Sequence, residues 1–337
     1  MSIPIGAKVA PLGTVRDVSL PLSPPVAPQL ARSRRTLPEG EGWVFEPKWD
    51  GFRALAFVDG EELHLQSRNG KALLRYFPEL HFPPGRYVLD GEIVIPAPEV
   101  AGDVVRRQEF DLLGQRIHPA ASRIARLAQQ TPATFMVFDL LAHEDDVLLD
   151  RPWEERRAAL EALVGDPVEL TPVVRSVQEA QPWLQGAEGV IAKEVGAPYR
   201  PGERTGMVKV KRVRTIDAVV TGWRPGKEQG TVGSLILALY EPDGRLREVG
   251  HSSGFTAREK RELVDLLGPY ETGERGSGDP SRWTAGRDLE WIKLRPELVV
   301  EVTFDHTSDG RIRHGAKVQR WREEKDPADC GVEQLDQ

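Results

Sequence analysis

The sequence predicts an α+β protein in two domains, and three observations carry that prediction. The chain has 337 residues, longer than most single domains and short for three. From Gly42 onward, short alternating and apolar runs are separated by turn residues, the pattern of strands and hairpins. Helical periodicity is confined to two stretches, so the regular strand–helix alternation of a doubly wound sheet is absent.

Residues 1–40 lack sustained periodicity, and Pro21, Pro24, Pro25 and Pro28 crowd together, which predicts an extended proline-rich arm lying on the body. Trp43–Phe45, Ala54–Val58, Leu63–Gln66, Val88–Ile95, Phe135–Leu141, Val190–Lys193 and Met207–Arg212 predict strands, with a hairpin turn at Asp59-Gly60. Pro152–Val164 predicts a helix, because Asp150 precedes it and Glu154 and Glu155 occupy its first turn. A boundary is expected near Arg212–Asp217, giving one domain over 41–214 and a second over 215–337. In the second, Val219–Trp223, Leu235–Glu241, Leu246–Gly250 and Leu298–Phe304 predict strands. Thr256–Leu267 predicts a helix with a capping box, Thr256-x-x-Glu259, and Leu263, Leu266 and Leu267 on its apolar face. Short strands interrupted by one helix, in about 120 residues, predict a small Greek-key β-barrel of the OB type. The glycines of Gly273–Gly278 predict a loop.

Lys+Arg total 45 against 52 Asp+Glu, a net charge of −7, which excludes a wrapper of uniformly positive charge but allows a nucleic-acid enzyme with one basic face. The longest apolar stretch, around Leu235–Tyr240, is too short to span a bilayer. No basic stretch leads into an apolar segment at the N-terminus, so a secretory signal is not expected and the chain is placed in the cytoplasm. Cys330 is the single cysteine, so intramolecular disulfides and a four-cysteine zinc module are excluded, and oxygen ligands or histidine must hold any metal.

The sharpest local feature is Glu46-Pro47-Lys48-Trp49-Asp50-Gly51-Phe52-Arg53. A lysine between an apolar strand and a turn glycine can be more than a surface charge. Partial burial and neighbouring cations disfavour an ammonium ion, and the neutral amine is a nucleophile. Glu92 and Glu188 each sit beside a glycine at a strand, and two carboxylates converging on one cleft make an oxygen-ligand site for Mg²⁺ (or Mn²⁺). Lys209 and Lys211 alternate with Val208 and Val210, so both ammonium groups share one strand face, either turned into a cleft or solvated. The C-terminal run from Arg311 to Lys325 carries six cations against two acids, in a chain that is otherwise acidic.

Further ordered segments follow: Ser67-Arg68-Asn69-Gly70, Leu89-Asp90-Gly91-Glu92-Ile93-Val94, Phe135-Met136-Val137-Phe138-Asp139, Glu188-Gly189-Val190-Ile191-Ala192-Lys193 and Val208-Lys209-Val210-Lys211-Arg212. The series resembles the nucleotidyltransferase superfamily of ATP-dependent DNA ligases, RNA ligases and mRNA capping enzymes. Within it, Gln115-Arg116-Ile117-His118-Pro119-Ala120-Ala121-Ser122-Arg123 and Tyr199-Arg200-Pro201-Gly202 are similar to short bacterial ATP-dependent DNA ligases of the ligase C type. The likeness runs from about Pro24 to Cys330. It implies a nucleotidyltransferase domain of ATP-grasp-like antiparallel sheets with helices, followed by an OB-fold β-barrel. It also implies that Lys48 carries AMP, that Glu92 meets the ribose, and that Glu188 serves a metal near the α-phosphate. Arg53 and Arg68 fall where the family binds the sugar and the nick 5′-phosphate. Phe138 corresponds to a base-stacking residue, with simple core packing as the alternative. Glu46 lies near the adenine in the family, and a plain salt bridge is the competing role. Arg313, Arg320, Arg322 and Lys325 correspond to a motif that orients pyrophosphate, with DNA phosphates as the other reading. Glu324 and Gly315 depart from the residues usual in that motif.

The expected activity is therefore ATP-dependent sealing of nicks in duplex DNA by a monomer, in repair, alongside primase-polymerases or other repair proteins. An RNA ligase or capping-type transferase shares the lysine chemistry, and a catalytically silent OB module binding nucleic acid is the alternative from a different class. An NAD⁺-dependent ligase is disfavoured, since one cysteine cannot supply that family's zinc finger.

Overall fold

The structure is a computed structural model that describes residues 20–98, 108–165, 168–278, 289–305, 307–308, 310–313 and 315–336. Residues 1–19 of the expected arm lie outside them. Two compact units divide the chain between Lys211 and Arg212.

The strands of the first unit are β1 (Arg32–Ser33), β2 (Trp43–Pro47), β3 (Phe52–Gly60), β4 (Glu62–Ser67), β5 (Gly85–Val94), β6 (Thr134–His143), β7 (Asp146–Val147), β8 (Glu169–Leu170), β9 (Gly189–Glu194) and β10 (Met207–Lys211). Its helices are α1 (Phe110–Gln115), α2 (Ala121–Gln130), α3 (Trp153–Leu163), α4 (Val177–Ala180) and α5 (Trp183–Gly186). One sheet runs β4-β3-β5-β6-β7 with β8 parallel to β6, and the other runs β1-β10-β9-β2 with β1 parallel to β10. β3 is apolar on both faces because alternate side chains enter different cores. Ala54, Ala56 and Val58 pack with Leu65, Leu89 and Phe135, while Leu55 and Phe57 pack with Val88, Leu141 and Tyr199. Each such large side chain contributes about 1.5–3 kcal/mol when removed from water.

The described part of the arm is fastened to this body. Val26 N–H donates to Gln66 Oε1 at 2.9 Å, and Gln66 Nε2 donates back to the Val26 carbonyl at 2.6 Å. α3 begins one residue after Pro152, and its inward face carries two arginines. Arg156 makes a two-pronged pair with Asp139 at 2.7 and 3.0 Å. Arg116 is likewise buried, forked onto Glu79 at 2.7 and 2.8 Å.

The second unit holds β11 (Arg214–Pro225), β12 (Val232–Tyr240), β13 (Leu246–Ser252), α6 (Ala257–Leu267), β14 (Glu271–Gly278), β15 (Leu289–Phe304), β16 (Thr307–Ser308), β17 (Arg311–Ile312) and β18 (Lys317–Trp321). Its main sheet runs β13-β12-β11-β15-β14, with β18 also on β15. This is an OB-type arrangement, but among the described residues the expected barrel does not close: one bridge, Ser252 to Ala316, stands where a ladder would be needed. The loop expected at Gly273–Gly278 is instead part of β14, because β15 offers its backbone a ladder along that edge. The capping box of α6 forms as expected, with Thr256 Oγ1 accepting from Glu259 N–H and Glu259 Oε2 accepting from Thr256 N–H. Leu263 and Leu267 are buried, whereas Leu266, expected on the same face, is exposed. Cys330 is buried in this core, and burial pushes its thiol up to about 11, so it carries no reactive thiolate at neutral pH. Among the described residues no helix is long and apolar enough to cross a membrane.

Candidate active site

Lys48 follows directly on β2, at the point where the chain leaves one sheet of the first unit for the other. Its backbone N–H donates to the Gly189 carbonyl at 2.9 Å, which fixes it beside the start of β9. The ammonium lies 3.6 Å from Glu188 Oε2 and 3.4 Å from the Trp49 carbonyl, with the side chain 21% exposed. Two glycines make this approach possible. A Cβ on Gly51 would strike the Ile93 carbonyl of β5, and one on Gly189, at φ +141°, would strike the Val210 carbonyl of β10. The glycines of Lys48-x-Asp50-Gly51 and Glu188-Gly189 thus have a steric reason.

The lysine borders a cavity of about 210 Å³ contained in the first unit. Of the residues expected from the sequence, Glu46, Arg53, Arg68, Glu92, Phe138 and Lys209 line it with Lys48. Glu188 reaches it through its pairing with Lys48, and Lys211 acts electrostatically on Lys209. Arg53 and Glu92 sit opposite each other in the β3–β5 ladder. The Arg53 guanidinium forks onto Asp90 at 2.6 Å for both bonds and lies 4.5 Å from the centroid of the Phe138 ring.

The cavity combines paired opposite charges with a group of cations around Lys209. Burial and the cations Lys211, Lys48, Arg68 and Arg204 pull the Lys209 ammonium below the usual lysine range, which makes this wall a site for several negative charges. Burial pushes the Glu92 carboxyl up to about 7, against the opposing pull of Arg53 and Lys48. Burial opposes the Arg53 charge, but Asp90 more than compensates and holds the guanidinium firmly ionised. Among the described residues no group of three or more His, Cys, Asp or Glu is placed to hold a metal. Glu188 and Glu92 are the carboxylates at hand, a sparse donor set that suits an ion retaining water and phosphate oxygens as its other ligands.

Five further residues belong to this cavity or its support: Gln29, Asp90, Lys193, Tyr199 and Arg204. Gln29, Lys193 and Arg204 line it. Asp90 was legible in principle, since it lies two residues before Glu92 on one strand and so on the same face. Tyr199 opens the Tyr199-Arg200-Pro201-Gly202 segment that marks the ligase C likeness, but that likeness gave it no place in the cavity. Its buried hydroxyl donates to Asp90 Oδ2 at 2.7 Å and accepts from the Gln29 N–H at 2.9 Å, tying the arm to the Arg53–Asp90 pair. Tyr199→Phe is expected to leave the Gln29 N–H unpaired and to cost about 1–3 kcal/mol. Denaturant unfolding measures the loss, and limited proteolysis should show earlier cleavage between residues 20 and 35.

The C-terminal cations lie in the second unit. Arg322 is the most committed, with Asp217 at 2.7 Å, Glu324 at 2.6 Å and Glu301 at 3.3 Å. Arg320 pairs with Glu301 at 3.0 Å but stays exposed, Lys325 lies 3.8 Å from Asp329, and Arg313 is half-buried. Much of the positive charge counted in the sequence is therefore already matched by acids of the same unit.

A lysine on the rim of a cation-rich cavity, between antiparallel sheets and followed by an OB-type unit, defines a nucleotidyltransferase fold. The comparisons narrow it. The profile described as "ATP dependent DNA ligase domain" matches residues 24–211, and "ATP dependent DNA ligase C terminal region" matches 228–325. The chain belongs to the ATP-dependent DNA ligases. It is 45% identical to DNA ligase C1 of Mycolicibacterium smegmatis over 95% of this chain and 96% of that one. It is 31% identical to the multifunctional non-homologous end joining protein LigD of the same organism, over 80% of this chain and 35% of that protein. A solved Lig E DNA ligase shares the fold with a TM-score of 0.56 and 20% identity, covering 88% of this chain and 99% of that one. Family membership separates the DNA ligase reading from the capping-type and non-catalytic alternatives.

Proposed function

We propose that Lys48 is the residue that carries AMP, and that the enzyme seals nicks in duplex DNA by three phosphoryl transfers. The amine nitrogen attacks the α-phosphorus of ATP, the bond to the β-phosphate oxygen breaks, and pyrophosphate departs with the electron pair. The amine proton goes to solvent or to a nearby base. AMP then passes from Lys48 to the nick 5′-phosphate, restoring the free lysine. The 3′-hydroxyl attacks that activated phosphate, and AMP leaves. In each step, positioning and charge neutralisation do most of the catalysis.

The observation that carries this reading is the placement of Lys48 Nζ 3.6 Å from Glu188 at a cavity lined also by Arg53, Arg68, Arg204 and Lys209. Arg53 and Arg68 suit sugar and phosphate contacts, Lys209 and Lys211 the negative charge of the transferring group, and Phe138 and Glu46 the base. Glu188 and Glu92 would hold Mg²⁺, whose chemistry here is Lewis-acid neutralisation of phosphate oxygens. The adenylation domain is assigned to 41–214, with the arm before it, and the OB domain to 215–337. Arg313, Arg320, Arg322 and Lys325 are assigned to the pyrophosphate. A repair role rests on the likeness to the end-joining protein, and the enzyme is taken to act as a cytoplasmic monomer.

Mass spectrometry after incubation with ATP and Mg²⁺ tests the central step: an adenylate on Lys48 is expected, and an adenylate elsewhere or none would refute it. The pH dependence provides a second test. Glu92 is neutral below about 7 and ionised above it, so nucleotide transfer to Lys48 should rise as pH passes through that value. Glu92→Gln, which cannot ionise, should remove this part of the rise. A single-turnover profile that is unchanged in the variant would assign the limb to another group. For stability the sign is opposite: a carboxyl raised from 4.5 to about 7 by burial costs folding free energy as pH climbs through that window.

A further inference from the structure

The unclosed barrel of the second unit leaves a groove of about 590 Å³ between β18 and α6. All five residues of β18, Lys317–Trp321, border it. Side chains alternate between the two faces of a strand, so a wall made of consecutive residues is the strand's edge rather than one of its faces. That edge is open. β18 pairs with β15 on one side, and on the other, among the described residues, pairing stops at the single bridge from Ser252 to Ala316. An open edge presents backbone N–H and C=O groups ready to pair with another extended chain.

The side chains around the edge say what kind of chain fits. Phe255, Val318 and Trp321 are half-buried, and Leu266 is 41% exposed, so an apolar strip lies along the groove. Ser252, fully buried, lines the same groove, and its hydroxyl finds no hydrogen-bond partner among the described residues. Buried polar groups are normally paired, so this hydroxyl marks a place where a partner is wanting. Of the four charged side chains that line the groove, three are engaged: Glu259 in the cap of α6, Glu262 with Arg258 at 2.6 Å, and Arg320 with Glu301 at 3.0 Å. Lys317 alone has no acidic partner among the described residues.

We propose that this groove receives an extended segment of a partner protein, with alternating apolar and acidic residues, which joins β18 as an added strand. Main-chain bonds along the edge supply affinity, and every second side chain of the segment meets the apolar strip. An acid on the segment supplies the counter-charge that Lys317 lacks. A nucleic-acid strand is the poorer occupant, because its phosphates would meet Glu259 and Glu262 and gain only Lys317 in return. The proposal does not depend on the chemistry assigned to Lys48.

Fluorescence anisotropy of the full chain with two pools of labelled, acetylated nonapeptides tests it. Both pools alternate Val, Leu or Phe with a polar residue, which is Asp in one pool and Lys in the other. The acidic pool is expected to bind the more tightly. Leu266→Asp should weaken its binding on the order of tenfold, the scale of losing an apolar anchor. Leu266 is exposed, so this change should leave the unfolding temperature where it was. Lys317→Glu should abolish or reverse the preference between the pools. Methylating one set of alternate peptide nitrogens should remove binding and methylating the other should not, since an added strand turns one edge to β18. No binding by either pool, equal binding of both, or binding indifferent to Leu266→Asp or to methylation would overturn the proposal. So would oligothymidylate binding that Leu266→Asp removes, which gives the groove to nucleic acid. Sedimentation showing a dimer that Leu266→Asp disperses would overturn it too, by giving the groove to a second copy of the chain.

Discussion

Lys48→Ala is expected to lower formation of the enzyme–AMP adduct by on the order of 10⁴-fold or more, the scale of losing the nucleophile of a covalent mechanism. Lys48→Arg should be as inactive, because a guanidinium does not deprotonate in proteins. Neither change should unfold the protein. The side chain is 21% exposed, and its nearest polar partners stand at 3.4 and 3.6 Å, so little stability depends on it. The informative contrast uses a nick that already carries AMP on its 5′-phosphate. The amine has no covalent task left there, and sealing by Lys48→Ala should survive to a far greater extent than sealing from ATP. If both reactions fell together, Lys48 would be acting on the architecture of the cavity rather than as a nucleophile.

The largest expected effect on stability lies at Asp139. Asp139 and Arg156 are each 2% exposed and joined by two hydrogen bonds, and Asp139 Oδ1 also accepts from the Leu140 N–H at 3.0 Å. Asp139→Ala leaves a buried guanidinium without its counter-charge and is expected to cost about 3–5 kcal/mol. Urea or thermal unfolding reads this directly. The double variant Asp139→Leu, Arg156→Met should recover much of the loss, because removing both charges removes the desolvation penalty along with the attraction. A single-variant loss below about 1 kcal/mol would mean that the Arg151 and Ala197 carbonyls, at 2.6 and 3.2 Å, already satisfy Arg156.

These two sites show where the sequence is informative and where it is not. Lys48, Glu92 and Glu188 are legible through the ordered motifs that resemble the nucleotidyltransferase superfamily, and Gly51 and Gly189 have a steric reason, since a Cβ at either would strike a neighbouring carbonyl. α3 and α6 are legible from their first turns. The inward arginines are not. A charged residue reads as surface until its partner is known, and Arg116 and Arg156 find theirs 37 and 17 residues away. Lys193 falls in the same class, since a lysine near a strand end normally reads as solvated, and only the folded chain brings it to Glu46, 147 residues distant. Gly273–Gly278 failed for another reason: glycine's weak strand preference is overridden when a long neighbour such as β15 offers a ladder.

The cavity draws its walls from segments as remote as Gln29 and Lys209. The denatured chain holds no fragment that could imitate such a surface, so a nucleotide binds the native form alone. By mass action each tenfold excess of ligand over its dissociation constant adds about 1.4 kcal/mol to folding. The cell's own pool of fuel would then act as a chaperone for this enzyme, prolonging its lifetime while energy is plentiful and exposing it to turnover when supplies fall.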